Sequence, residues 1–266
     1  MCENLYQYRF EKCTSLDEIA SLRHQYLDGL IEPQEFFLEL AVVNAKIYMI
    51  HLNDEQMGYF LINDESVLIE YFIIQKYVFL ADSILMRIVD DFSITKGVCK
   101  TFDHLFLSCC VGIQKKMRVV GVLFRTYHPA SDIGQHREIS VRQATIADEK
   151  HIIEINEEVF DHDHEVLEYI HKKQLLIFEK EGTPVGFGIF SRVIEGRPDF
   201  DIGMLVEKGF RGQGLGQFII SYLADYCFSW GWRPVAGCAV DNIASRRTLE
   251  KAGFIADYRM LEFSFR

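Results

Sequence analysis

The sequence Arg211-Gly212-Gln213-Gly214-Leu215-Gly216 lies between an extended apolar segment, Asp201 to Val206, and a helical pattern. Glycine at alternate positions lets the backbone turn sharply and brings successive N–H groups close to an anion without an obstructing Cβ atom. The start of the following helix adds a partial positive charge at the same place. We therefore predict a strand, a phosphate-binding turn and a helix, with the guanidinium group of Arg211 at the rim.

Three alternating glycines also occur in turns that bind no ligand, so the motif alone leaves that alternative open. Two other phosphate-binding motifs do not fit this sequence. A dinucleotide-binding fingerprint requires G-x-G-x-x-G early in a βαβ unit, with an acidic residue about 20 positions later. A Walker loop requires G-K-[ST] after the intervening residues, and that spacing is absent.

The composition is that of a globular protein, since 49% of the 266 residues are apolar and can form one large or two ordinary domains. The net charge of −11 disfavours nucleic acid and membrane partners, favours a cationic ligand and leaves a homodimer open. No apolar stretch reaches the roughly 18 residues of a membrane span, and the N-terminus does not resemble a signal peptide, so we expect a cytoplasmic protein. The seven cysteines form no C-x-x-C pair, which predicts free thiols and no metal site.

Two halves of the sequence follow the same pattern, about 130 residues apart. Each half opens with a capping-box-like helix start, at Thr14–Glu18 and at Thr145–Glu149. Each continues with an apolar strand, Met57–Ile62 or Val185–Phe190, and then with a strand that contains an acidic residue. We predict two copies of one mixed α/β domain.

The predicted domains are residues 1–130 and 137–266, joined by a linker at 131–136 in a segment rich in Pro, Ser, Gly and Asp. The copies differ after the acid-containing strand, because the first half reads Gln75–Leu80 there and has no glycine. Side chains at these positions would block the close approach of a pyrophosphate. A structural or acceptor-shaping role is therefore predicted for the first half.

A second motif lies downstream, where Asp241–Phe254 is predicted to form a helix that Gly253 terminates. Asn242 and Ser245 share one face of this helix, and a capped surface helix would explain them equally well. Together with the glycine turn, however, this segment closely resembles the GNAT superfamily of N-acyltransferases. The resemblance covers residues 137–266, and residues 1–130 resemble a degenerate second unit.

The resemblance implies tandem domains of the mixed α/β class, each with a mixed, mostly antiparallel sheet flanked by helices, seven-stranded in the C-terminal copy. Acetyl-CoA would bind in a V-shaped opening between two parallel strands. Its pantetheine arm would pair with Leu205 and Val206 like an additional strand, and Asn242 and Ser245 would lie near the tail. The pyrophosphate would rest on the amides of Arg211, Gly212, Gln213, Gly214, Leu215 and Gly216.

Acetyl transfer to a primary amine requires a base, and the resemblance points to Asp201 near the start of the strand. Asp199 is the alternate because it shares the same strand face, and a merely solvated carboxylate is the other interpretation. A backbone N–H of Leu205 or Val206 would bind the developing oxyanion. Many relatives carry a tyrosine as general acid where this sequence has Leu249, so Ser245 or Cys238 would replace it, or the thiolate would leave unaided.

The segment Phe160-Asp161-His162 lies between the first two helices of the C-terminal half, where relatives often shape the acceptor pocket. Its acidic side chains would suit a cationic amine, although a solvated loop explains them as well. The predicted function is therefore acetyl transfer from acetyl-CoA to a primary amine of a small molecule or peptide. The alternative is a noncatalytic acyl-CoA-binding or regulatory module, and an RNA-dependent aminoacyl transferase is disfavoured by the charge.

Overall fold

The computed structural model describes residues 8–130, 136–157 and 159–266, so the predicted linker lies outside the described residues except for its last position, His136. The chain forms two compact units. Unit 1 contains the residues up to Val122 together with Tyr258–Arg266, and unit 2 is Leu123–Asp257.

Unit 1 begins with an antiparallel meander and continues through a helical crossover into a parallel strand pair. Its elements are β1 (Tyr8–Cys13), α1 (Ala20–Gly29), α2 (Phe36–Val43), β2 (Lys46–Leu52), β3 (Glu55–Ile62), β4 (Val67–Ile73), α3 (Ala81–Asp91), β5 (Lys96–Lys100), α4 (His104–Ile113) and β6 (Lys116–Phe124). Strands β1 to β4 pair antiparallel in sequence order, and β4 pairs parallel to β5. Helix α3 buries Ile84, Leu85 and Ile88 at helical spacing against the sheet.

Unit 2 repeats the same order of elements. It contains β7 (Thr126–Tyr127), β8 (Ile139–Gln143), α5 (Glu149–Ile155), α6 (Asp163–His171), β9 (Leu175–Lys180), β10 (Thr183–Arg192), β11 (Asp199–Val206), α7 (Leu215–Ser229), β12 (Arg233–Ala239), α8 (Ile243–Ala252) and β13 (Phe254–Ile255). Strands β8 to β11 pair antiparallel, β11 pairs parallel to β12, and β13 pairs with β7.

Helices cover both faces of the unit 2 sheet. Helices α5 and α6 bury Ile152 and Ile170 in one cluster with Phe187 and Leu205 of the sheet. On the opposite face α7 lies so close to β10 that a Cβ atom at Gly188 would approach Leu223 Cδ1 to 2.9 Å. The predicted mixed, mostly antiparallel sheet with flanking helices is thus confirmed for both halves.

The last strand, β14 (Tyr258–Ser264), differs from the prediction, which placed it in a seven-stranded sheet of the domain at 137–266. It pairs antiparallel with β5, so the sheet of unit 1 has the order β1-β2-β3-β4-β5-β14-β6 and that of unit 2 the order β12-β11-β10-β9-β8. Leu261, Phe263 and Phe265 enter the core of unit 1. The cause is packing, because these alternate apolar side chains belong to one buried cluster with residues of α3 and α4.

Candidate functional site

The parallel strands β11 and β12 are joined at one end and open at the other. They pair with each other over Asp199–Asp201 and Arg233–Val235, and in the described residues no further pairing between the two strands follows as they continue to Val206 and Ala239. An opening between two parallel strands leaves backbone N–H and C=O groups of each strand without a partner strand.

Alternation along β11 determines which backbone groups face this opening. The N–H of Glu207 donates to Val185 at 3.0 Å, and the N–H of Val193 donates to the carbonyl of Asp199 at 3.0 Å, so the odd-numbered positions of β11 point toward β10. The backbone groups of Met204 and Val206 therefore face the opening, and those of Leu205 do not. Of the two predicted oxyanion donors, only Val206 has the required direction.

The glycine turn follows directly, and strand, turn and helix occur in the predicted order. Gly212 and Gly214 have φ values of +78° and +82°, a left-handed conformation that side chains other than glycine rarely adopt. Gly214 is the N-cap of α7. Gly216 has a different role, since a Cβ atom there would lie 3.1 Å from Met204 Cε and from Thr248 Cγ2.

The Arg211 side chain is held beside the turn by its hydrogen bonds. Its Nε donates to the carbonyl of Val206 at 2.9 Å, and its guanidinium group pairs with Glu157, which also pairs with Lys208 at 2.8 Å. Hydrogen bonds from Lys208 and Arg211 lower the pKa of the Glu157 carboxyl. The cation thus links the end of β11 to the loop after α5.

His136 is a neighbour of the turn that the sequence did not indicate, because it falls at the end of the predicted linker. Its Nε2 atom lies 3.5 Å from the position of a Cβ atom on Gly214. Its ring packs 5.3 Å from that of Phe218, and its Nδ1 atom lies 3.4 Å from Glu138. An anion on the turn would meet this imidazole.

The helix after β12 forms as predicted. The Oδ1 atom of Asn242 accepts a hydrogen bond from the N–H of Ser245 at 2.9 Å and so caps α8, while Gly253 ends it with φ of +112°. Leu249 is only 3% exposed and belongs to the core. Ser245 is half-buried and Asn242 is exposed.

Asp201 faces α6 together with two residues that the sequence did not single out. It pairs across the sheet with Ser191, and Tyr169 of α6 lies over both. Burial raises the pKa of Tyr169 to about 12. A hydrogen bond with Ser191 opposes this shift, and the charge of Asp201 adds to it. No spacing in the sequence connects residues 169, 191 and 201.

Asp199, the alternate base, is surrounded by arginines. It is 8% exposed, and its Oδ1 atom lies 4.0 Å from the guanidinium group of Arg233. Burial raises the pKa of its carboxyl, and the charges of Arg233, Arg197 and Arg125 oppose that shift.

The three predicted acceptor residues lie in different environments. Phe160 is 4% exposed, with its ring 5.2 Å from Tyr169 and 5.8 Å from Phe187, so it packs in the core beneath α6. Asp161 and His162 are exposed, and the His162 ring stacks on that of His164 at 5.5 Å. Within the described ranges no group of three or more His, Cys, Asp or Glu residues is arranged to hold a metal ion.

In unit 1 the corresponding opening, between β4 and β5, is filled by a buried polar network. Lys100 is fully buried and donates to Gln34 Oε1 at 2.8 Å and to the Tyr26 hydroxyl at 2.6 Å. Gln34 in turn donates to Glu70 at 2.8 Å, and Glu70 accepts from Arg23 at 2.9 Å. Side chains therefore connect β4 to β5 where the strands have separated.

Family models match both halves of the chain, one described as "Acetyltransferase (GNAT) domain" at residues 15–127 and one as "Acetyltransferase (GNAT) family" at residues 142–254. The chain belongs to the GNAT acetyltransferase family. The predicted tandem arrangement of two GNAT domains is thereby confirmed. No helix in the described part of the chain is long and apolar enough to cross a membrane.

Solved structures of other GNAT proteins share this fold along almost the whole chain. An acetyltransferase of the GNAT family from Colwellia psychrerythraea is 18% identical, with a TM-score of 0.86 over 97% of this chain and 100% of its own. A GCN5-related N-acetyltransferase from Sphaerobacter thermophilus is 13% identical, with a TM-score of 0.67 over 97% and 96%. A tandem GNAT protein from the clavulanic acid biosynthesis pathway is 10% identical, with a TM-score of 0.56 over 97% and 98%. A search of curated proteins found no match.

Proposed function

We propose that unit 2 transfers an acetyl group from acetyl-CoA to a primary amine of a small molecule or peptide. The observation that carries this proposal is the opening between β11 and β12, which leads directly into the left-handed glycines at the start of α7. A Cβ atom at Gly212 would have no neighbour within 4 Å, so the turn is open to a ligand.

In this proposal the amides of residues 211–216 hold the pyrophosphate of coenzyme A, and the helix dipole of α7 adds attraction. The N–H of Val206 bonds the pantetheine arm as a neighbouring strand would, while the Val206 carbonyl already accepts from Arg211. Asn242 and Ser245 contact the tail from the start of α8. Arg211 acts indirectly, by holding the turn against the end of β11.

Acetyl-CoA supplies the activated thioester, and the chain supplies proton transfer and charge stabilisation. Asp201 accepts the proton of the amine, directly or through water, because a free alkylammonium group with a pKa of about 10.4 is not nucleophilic. Tyr169 keeps its proton at neutral pH and orients the groups around Asp201 by hydrogen bonding. The thioester lies beyond the pantetheine arm as seen from the turn, so the N–H of Met204, which also faces the opening, takes the oxyanion role and donates to the oxygen on which negative charge develops.

The leaving thiolate needs only modest assistance, because a thiol has a pKa of about 8.5. Leu249 is buried and apolar, so this step falls to Ser245 or Cys238, or proceeds without an acid. The apolar side chain of Leu249 also favours the alternative function, a noncatalytic acyl-CoA-binding or regulatory module.

Titration of the full chain with acetyl-CoA by calorimetry, followed by a thiol-release assay, tests the proposal. The amine panel contains a polyamine, an amino sugar, a peptide with a free N-terminus and a lysine peptide with a blocked N-terminus. Binding with thiol release for any amine supports acetyl transfer. Binding without release for every amine favours the noncatalytic module, and absence of binding contradicts both functions.

A further inference from the structure

A cavity of about 360 Å³ opens in unit 2 at the end of the sheet where β11 begins. Five aromatic side chains line it: Phe190, Phe200, Tyr226, Trp230 and Trp232. Its volume lies within the roughly 300–1,000 Å³ of small-molecule sites and is small for a protein interface.

This cavity is separate from the proposed acetyl-CoA site. Phe200 and Asp201 are neighbours on β11 and therefore point to opposite faces, so the cavity lies on the α7 face and Asp201 on the α6 face. The glycine turn follows Val206, and the strand from Phe200 to Val206 spans roughly 20 Å.

The aromatic rings form a flat, partly uncovered stacking surface. Phe200 and Trp232 stack at 4.0 Å with an angle of 11° between their planes, and Trp230 lies nearly parallel to Trp232 at 5.8 Å. Trp230 is 61% exposed, although an indole ring gains most when it is covered. A planar aromatic ring would cover it by stacking.

The polar lining is mainly cationic in a chain whose net charge is −11. Lys172, Lys173 and Arg192 line the cavity with the carboxylate of Glu195, and Lys172 is paired with Glu168 at 3.1 Å, so Lys173 and Arg192 carry the positive charge of the lining. Arg192 is fixed in place, because its guanidinium carbon lies 4.5 Å from the Phe200 ring centroid and one of its nitrogens donates to the carbonyl of Arg197. A fixed guanidinium group beside an aromatic surface is suited to a carboxylate.

We propose that this cavity binds a small planar aromatic carboxylate, with the ring stacked on Trp230 and Trp232 and the carboxylate directed to Arg192 and Lys173. The proposal rests on the cavity alone and holds whether or not unit 2 transfers acetyl groups. Three features carry it: the parallel indoles, the excess of cations over acids, and the small volume.

The fluorescence of the full chain reports on this cavity directly, because Trp230 and Trp232 are its two tryptophans. Three probes separate the contributions: benzoate, its uncharged analogue benzamide, and cyclohexanecarboxylate, an anion without an aromatic ring. We expect saturable binding of benzoate, about tenfold weaker binding of benzamide and about fivefold weaker binding of cyclohexanecarboxylate. Equal binding of all three probes, or no saturable response to benzoate, would overturn the proposal.

Variants locate the binding within the cavity. Arg192→Gln should weaken benzoate binding about tenfold by calorimetry, whereas Lys150→Gln, an equally charge-changing substitution on α5, should leave it unchanged. Lys173→Gln, at an exposed side chain, provides the same test if Arg192→Gln does not fold. Unchanged affinity in the cavity variants, or equal loss in Lys150→Gln, contradicts the assignment.

Discussion

The openings at β4/β5 in unit 1 and at β11/β12 in unit 2 have the same strand geometry and different contents. Ile73 and Val206 each pair with a glycine of the preceding strand, so these positions correspond, and three residues earlier Glu70 corresponds to Gly203. Unit 1 fills its opening with charged side chains that bond to one another. Unit 2 has no side chain at that position of the strand.

The segments that follow β4 and β11 also differ, one being filled by side chains and the other open. In unit 1, Gln75–Leu80 forms a short helical turn that buries Tyr77 and Leu80, and in unit 2 the segment contains left-handed glycines with free space around Gly212. One scaffold thus supports a structural version of the opening and a version suited to a ligand. What separates them is a small number of side chains, which substitution can exchange.

The largest effect should come from disrupting the buried polar network in the opening of unit 1. Lys100→Met removes the buried ammonium group from Gln34, Tyr26 and nearby Asp103, and should lower the free energy of unfolding by about 3–5 kcal/mol. Urea denaturation measures this loss. The control Lys96→Met removes a half-exposed ammonium paired with Glu262 and should cost less than about 1 kcal/mol. Equal losses in both variants would mean that the network is not what stabilises unit 1.

The second-largest effect should come from a substitution in the glycine turn of unit 2. Gly214→Asp places a carboxylate in a left-handed position at the start of α7 and should weaken acetyl-CoA binding at least about 100-fold, measured by calorimetry. Gly182→Asp is the matched control, because φ there is +77° and a Cβ atom has no neighbour within 4 Å. Unchanged acetyl-CoA affinity in Gly214→Asp would remove the basis of the proposed function.

Turnover should depend on the carboxylate of Asp201. Unit 1 has no carboxylate at the corresponding strand position, which Leu68 occupies. Asp201→Asn should lower kcat about 100-fold and leave the acetyl-CoA affinity unchanged, because the amide cannot accept the proton. The exposed Asp64→Asn in unit 1 serves as control in the same steady-state assay. A comparable loss in Asp64→Asn, or the loss appearing in Asp199→Asn instead, would contradict the role of Asp201.

The smallest effect concerns the capping box that opens each unit. Two hydrogen bonds from Arg142, helped by those from Thr145, lower the pKa of the Asp148 carboxyl to about 2, and because Arg142 is partly exposed Asp148→Asn should lower stability by only about 1 kcal/mol at neutral pH. Because the folded pKa is depressed, this contribution is complete above about pH 4 and is lost as the pH falls toward 2. Denaturation at several pH values should show the wild-type and variant curves converging there, whereas a constant difference would exclude the ion pair as its cause.

Local patterns predicted the strand, glycine turn and helices of unit 2, and long-range contacts account for what they missed. The turn at 211–216 and the helix after β12 depend on neighbours in sequence, and both form as predicted. Ser191 meets Asp201 through the pairing of β10 with β11, and Tyr169 reaches both through the packing of α6 on the sheet. The sequence places Arg211 at the rim of the turn but does not identify its partner, Glu157, which lies in another loop.

The network of unit 1 and the position of β14 could not be predicted for the same physical reason. Arg23, Gln34, Glu70 and Lys100 are distant in sequence and meet only in the folded unit. The alternating apolar residues of β14 would allow it to pair with the edge strand of any sheet whose core is not yet covered. A pattern with a period of two residues defines a strand but not its partner.

The pairing of β14 with β5 makes unit 1 discontinuous along the chain, and this determines how the protein can be divided. A fragment that ends at residue 130 would leave one edge of β5 unpaired and the core without Phe263 and Phe265, conditions that favour aggregation. During synthesis, the sheet of unit 1 cannot be completed until the ribosome has passed through all of unit 2. Separate production of unit 1 would therefore require β14 to be rejoined behind β6 through a new loop.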